Sequence, residues 1–173
     1  MLHDAALLDR DMDLLATNSV KSWLGVFLLL RGLSRPDGRP LHAYRVTEAE
    51  YEELHALLLA TWRNPQPRPR WAAVFCLFIA ECYRREYDAS GDGWSWKTFE
   101  CRIGVRVTFT IAQHAEFTDD GLVGYWKRPI RLRASGRDLL GSLFAEGGLP
   151  WMLLQADGHG FGRAIDAGLR NFY

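Results

Sequence analysis

Hydrophobic positions recur at helical spacing through most of the chain. Val20, Trp23, Leu24, Phe27 and Leu30 follow Asn18 and Ser19, either of which can cap a helix, and Gly32 can close it. After the loop "SRPDGRP", the segment "LHAYRV" (41–46) reads as extended. Thr47 then stands three residues before Glu50, the spacing of a capping box, and Leu54, Leu57, Leu58 and Trp62 continue the stripe. Three prolines in "NPQPRPR" end that helix by removing donors and fixing φ. The next helix, Trp71 to about Asp88, is apolar nearly all round at first and amphipathic in "CYRREYD". Its first half is expected to be the most buried element.

The pair of indoles in "GWSWKTFE" poses a choice between a ligand platform and a corner of the fold. Ser95 is placed as an N-cap with Trp96 at the first helical position. Trp94 and Phe99 then have the spacing of a hydrophobic staple. Stacking platforms need exposed rings. The corner is the reading adopted.

Period two appears once, in "VRVTFTI" (105–111), where Val105, Val107, Phe109 and Ile111 alternate with polar residues. "LHAYRV" and "RPIRLR" are candidate partners for it. A helix weakened by Gly121 and Gly124 follows over about Ala112–Trp126. "GRDLLGSLFAEGG" then reads as a helix with a Gly-Gly stop, and "LPWMLLQ" as one with Pro150 in its first turn. Phe161, Ile165, Leu169 and Phe172 carry a stripe to the last residues. Either the helix ends at a natural terminus or the chain is a segment of something longer. The fold expected is mainly α: a single-domain helical bundle over 1–173 of about seven helices, with one short extended segment near 105–111.

Composition narrows the class. The 173 residues are 48% hydrophobic and 24% charged, enough for a proper core. Net charge is zero, but residues 1–60 hold 6 basic and 9 acidic side chains, whereas residues 61–173 hold 15 and 12. Cys76, Cys82 and Cys101 are odd in number and lie in apolar or amphipathic runs. They read as buried free thiols of a reducing cytoplasm, without zinc-type spacing. The acidic N-terminus lacks a signal-peptide charge pattern, and the longest apolar runs have 8 and 10 residues. A membrane span needs roughly 20, so no membrane partner is expected.

The strongest surface feature is "YWKRPIRLRASGR" (125–137). Lys127, Arg128, Arg131, Arg133 and Arg137 could track phosphates or an acidic protein surface, and Trp126 could stack a base. A solvated basic loop, or one answered by the chain's own acidic first segment, is the plainer alternative. "DGHGFGR" (157–163) opens a helix but matches no phosphate-loop pattern and reads as a turn. Cys101 with His114, or Cys82 with Glu81 and His55, could be drawn as nucleophile and base, yet no spacing fixes their geometry. No catalytic residue, metal ligand or cofactor is assigned.

Four segments carry a resemblance: "RPLHAYRVT" (39–47), "WAAVFCLFIAECYRREYDASGDGWSW" (71–96), "YWKRP" (125–129) and "GSLFAEGGLP" (141–150). In that order, over about 22–170, the sequence resembles the N-terminal part of large bacterial proteins encoded in genomic and anti-phage defence islands. Cys82 stands where that pattern leads one to expect an aromatic, and 105–120 diverges. The resemblance implies a cytoplasmic helical module, working with the other subunits or domains of a defence-type complex. The function expected is therefore a non-enzymatic interaction module contacting protein or nucleic acid. A small hydrolase or nuclease-like domain, or a structural cap for a longer chain, is the alternative.

Overall fold

The computed structural model describes residues 24–65, 68–87 and 94–149, and shows a mainly α, single-domain architecture. Helix α1 (24–30) is followed by a 3-10 turn (Leu41–Tyr44) and helices α2 (Glu48–Thr61), α3 (Arg70–Glu86), α4 (Trp96–Arg102) and α5 (Ile111–Thr118). A π-helical segment (Asp119–Tyr125) extends α5. A ribbon of β1 (Arg131–Arg133) and β2 (Gly136–Asp138) leads into α6 (Leu139–Gly147). Capping at Asn18 or Ser19, the "LPWMLLQ" helix, the "DGHGFGR" turn and the 161–172 stripe lie outside the described residues.

Helix α3 is the axis. Trp71 through Cys82 are all buried, as an all-round apolar sequence requires, and α2, α5, α6, the π segment and the 3-10 turn pack on it. Trp71, Phe75 and Phe117 pack with Trp62, Phe99 and Phe109 at centroid distances such as 4.9 Å (Trp71–Phe117) and 4.4 Å (Trp62–Phe109). The two indole donors of this cluster are satisfied: Trp71 Nε1 donates to Thr61 Oγ1 (2.8 Å) and Trp62 Nε1 to the Val107 carbonyl (2.7 Å).

Local signals set the helix starts. Thr47 and Glu50 form the capping box, and Thr110 with Gln113 forms a second. Ser95 accepts from the Thr98 amide at 3.1 Å. Gly32, at φ 66°, closes α1. The π turn answers a packing need: a Cβ on Gly121 would lie 2.4 Å from both the Ala72 carbonyl oxygen and Cys76 Sγ. Only glycine lets the two backbones meet there.

Three expectations change. "LHAYRV" is not extended but a 3-10 turn ending in left-handed Arg45 (φ 54°), because the Leu41 amide turns inward to the Glu146 carboxylate (3.1 Å). Residues 105–110 join no ladder among the described residues. Side chains take their backbone groups instead, with Phe109 N–H donating to Glu100 (3.0 Å) and Val107 C=O accepting from Trp62. Among the described residues the sheet is the 131–138 ribbon. Cys76 and Cys82 are buried, but Cys101 is exposed on the outer side of α4.

Candidate functional site

The basic stretch emerges from the π segment and turns at Lys127, whose φ of 58° is left-handed and whose ammonium donates to the Gly124 carbonyl (2.5 Å). β1 and β2 then pair antiparallel, with Leu132 opposite Arg137 and Arg133 opposite Gly136. Gly136 takes φ 115°, which an L side chain resists. Ser142 accepts the Arg131 amide (2.9 Å) and donates to the Asp138 carbonyl (2.5 Å), and Asp138 caps α6 through the Gly141 amide (3.1 Å). The ribbon is thus tied to a helix at its base. Residues 131–137 are all exposed, and Leu132 is 78% so.

The five cations divide into two groups. Arg128 donates through Nε to both Glu146 oxygens (2.9 and 3.0 Å) and through a terminal nitrogen to the Gly38 carbonyl (2.7 Å). Arg133 pairs with Asp138 (2.5 Å), and Arg137 makes a two-pronged pair with Asp119, which pushes its pKa up. Lys127 and Arg131 have no ion-pair partner among the described residues. Trp126 corrects the stacking idea. Its ring is 0% exposed, its Nε1 donates to the Ala73 carbonyl (2.9 Å), and Tyr44 and Tyr125 pack on it at 5.1 Å. A ring so enclosed offers no face to a base.

Arg128 belongs to an internal knot. Buried Glu146 receives Arg128 and the Leu41 amide, while its own carbonyl accepts from His42 Nδ1 (3.0 Å). Gly147 lies against α3 so closely that a Cβ would stand 2.4 Å from the Ala80 carbonyl oxygen. The four segments that carry the sequence resemblance therefore meet in space, at a structural junction.

Trp94 and Trp96 part company at their corner. Trp94 packs edge-on against Tyr83 (5.9 Å) and Phe144 (6.0 Å), with the Arg102 guanidinium 4.8 Å above its ring. Trp96 stacks on His114 (4.0 Å, 12°) and lies parallel to Phe75 (6.2 Å). Trp96 is half-buried and also lines a cleft of about 380 Å³ together with Lys97, Glu100, Thr108, Phe109, Ile111 and His114. Glu100 and His114 are both buried there, with His114 Nε2 3.0 Å from Glu100 Oε1. Burial pushes the His114 pKa down and outweighs the opposing pull of Glu100. Its Nδ1 has no hydrogen-bond partner among the described residues.

Sequence reasoning missed the Glu100–His114 pair, whose members stand 14 residues apart in no motif. The usable signal was local. Trp96 and Glu100 share a face at i, i+4, and the Thr110 capping box starts the helix that presents His114. The sketched nucleophile pairs do not form: His55 Nε2 is engaged by the Ile103 carbonyl (3.0 Å) and His114 by Glu100. Among the described residues, no cluster of three or more His, Cys, Asp or Glu side chains is placed to hold a metal, and no helix is long and apolar enough to cross a membrane.

A helical module with a tethered basic ribbon is the class these features define. The chain belongs to the YjiT N-terminal domain family, whose model matches residues 7–149. It is 43% identical over 137 residues to Protein YjiT of Escherichia coli (strain K12), an alignment covering 78% of this chain and 26% of that protein. The chain thus spans about a quarter of the length of this curated relative. No solved structure matches.

Proposed function

We propose that this chain is a non-enzymatic interaction module of a larger protein, and that the 131–138 ribbon contacts an acidic protein surface within a bacterial defence-type assembly in the cytoplasm. The observation that carries the reading is Leu132, 78% exposed between Arg131 and Arg133 on a ribbon each of whose strands has one edge unpaired among the described residues. An apolar anchor flanked by arginines suits a protein interface core better than a phosphate track. Three of the five cations already have carboxylate partners. Lys127 and Arg131 together would neutralise about two phosphates, giving a log–log salt slope of only about −1.8. The defence setting rests on the resemblance carried by the four segments, and the family match to an N-terminal domain supports a place at the front of a longer chain.

The test is site-specific photocrosslinking in cells, with a benzophenone residue at position 132 of the full-length protein and a control at exposed Leu59. A discrete, protease-sensitive adduct at 132, lost in Arg131→Glu, is expected. A nuclease-sensitive adduct would shift the reading to nucleic acid. No adduct beyond that of the control would overturn the ribbon as a contact.

A further inference from the structure

Glu100 is a buried acidic side chain with no Lys or Arg partner among the described residues. Its side chain is 3% exposed, and Oε1 accepts from the Phe109 amide (3.0 Å) and from His114 Nε2 (3.0 Å). Neither donor belongs to a Lys or Arg, and burial pushes the His114 pKa down. Oε2 takes no hydrogen bond from the described residues, and Glu100 has no Lys or Arg pair among them. A buried acidic side chain with no fixed cation beside it gains from one brought to it.

The surroundings suit a particular kind of cation. Trp96 and Phe109 supply aromatic walls, and the His114 ring stacked on Trp96 continues one of them. Aromatic faces attract guanidinium and ammonium groups through the ring quadrupole. The cleft, at about 380 Å³, has room for such a head group with a short stem, and Ile111, 84% exposed at its edge, offers the stem apolar contact. Lys97, exposed among the lining residues, adds a constraint. Its ammonium disfavours a second positive charge on the ligand and favours a carboxylate at the outer end.

From these observations we infer that the cleft between Trp96 and Phe109 binds an organic cation of the guanidinium or alkylammonium type, its charge seated on Glu100 and its outer end neutral or anionic. The site lies apart from the ribbon, on α4, α5 and the segment that joins them, so neither reading depends on the other.

The probe is 4-guanidinobutyrate, titrated into the 173-residue chain and followed by NMR at the Trp96 indole N–H and the Phe109 amide, the latter hydrogen-bonded to Glu100. Pentanoate, which keeps the stem and carboxylate without the cation, is the control. Saturable shifts at both protons with one dissociation constant, at least tenfold weakening in Glu100→Gln, and no saturation by pentanoate are expected. Gln retains an oxygen for the Phe109 amide, so its effect reads the charge. If Glu100→Gln does not fold, Trp96→Leu, altering a half-buried ring, is expected to weaken binding as much. Absence of saturation, equal binding by pentanoate, or unchanged affinity in whichever of these variants folds would overturn the assignment.

Discussion

Replacing Arg128 separates a structural arginine from a binding one. In Arg128→Ala, Glu146, whose side chain is 7% exposed, loses two Nε bonds and keeps the Leu41 amide as its one donor among the described residues, while the Gly38 carbonyl loses the Arg128 donor. Breaking a fully buried pair costs about 3–5 kcal/mol, but the Arg128 side chain keeps 27% of its surface in water, so we expect about 2–3 kcal/mol. Arg131→Ala, on the exposed ribbon, is expected to cost under about 0.5 kcal/mol. Arg128→Lys cannot reproduce the fork and should fall between the two. The assay is urea unfolding with matched m-values, run as a double-mutant cycle with Glu146→Gln, which keeps an acceptor for Leu41. Coupling above about 1 kcal/mol is expected. If Arg128→Ala were as mild as Arg131→Ala, or additive with Glu146→Gln, the knot would not be what holds these segments. A binding test that mutates Arg128 along with the ribbon arginines would confuse unfolding with lost contact; Lys127, Arg131 and Arg133 form the cleaner set.

Other outcomes follow from separate parts of the fold. Gly121→Ala forces a methyl to within 2.4 Å of the Ala72 carbonyl and should destabilise by about 1–3 kcal/mol in thermal unfolding. His114 has its folded pKa below the unfolded value of about 6.5, so its contribution to stability is complete above that pH and is lost as pH falls towards the folded pKa. His114→Gln should flatten unfolding free energy against pH over that acidic window. In native protein a thiol reagent should modify Cys101 quickly and leave Cys76 and Cys82 until unfolding, because burial raises both thiols, Cys82 to about 12. Equal rates at all three would contradict the burial. Ser95→Ala should cost about 1 kcal/mol through loss of the Thr98 bond, read in the same unfolding assay.

Features governed by neighbours in sequence were legible beforehand. The Thr47–Glu50 box, the Ser95 cap and the burial of Trp71–Cys82 each follow from chemistry within a turn or two. Features decided by distant partners were not. The alternation at 105–111 looks like a strand, but Trp62, 45 residues before Val107, claims the carbonyl a ladder would use. The real ribbon is three residues per strand and exposed on nearly every side chain, so no hydrophobic pattern marks it. Five clustered arginines and lysines look like one patch until Asp119 and Glu146 arrive, each 18 residues from the arginine it neutralises. Trp126 reads as part of that basic run, while its indole is buried under α3 through a bond spanning 53 residues. Glu100 and His114 were invisible as a pair for the same reason.

The strap from Leu33 to Val46 has a consequence for the order of synthesis. Its anchors are the Tyr125 hydroxyl on Leu33, Arg128 on Gly38 and Glu146 on Leu41, separated by 92, 90 and 105 residues. On a ribosome adding about 5–20 residues per second, Leu41 waits roughly 5–20 s for Glu146 to be made. A nascent chain halted before α6 would carry Tyr125 and Arg128 but not Glu146, leaving the Leu41 end of the strap without its carboxylate and open to proteases and chaperones until α6 had emerged.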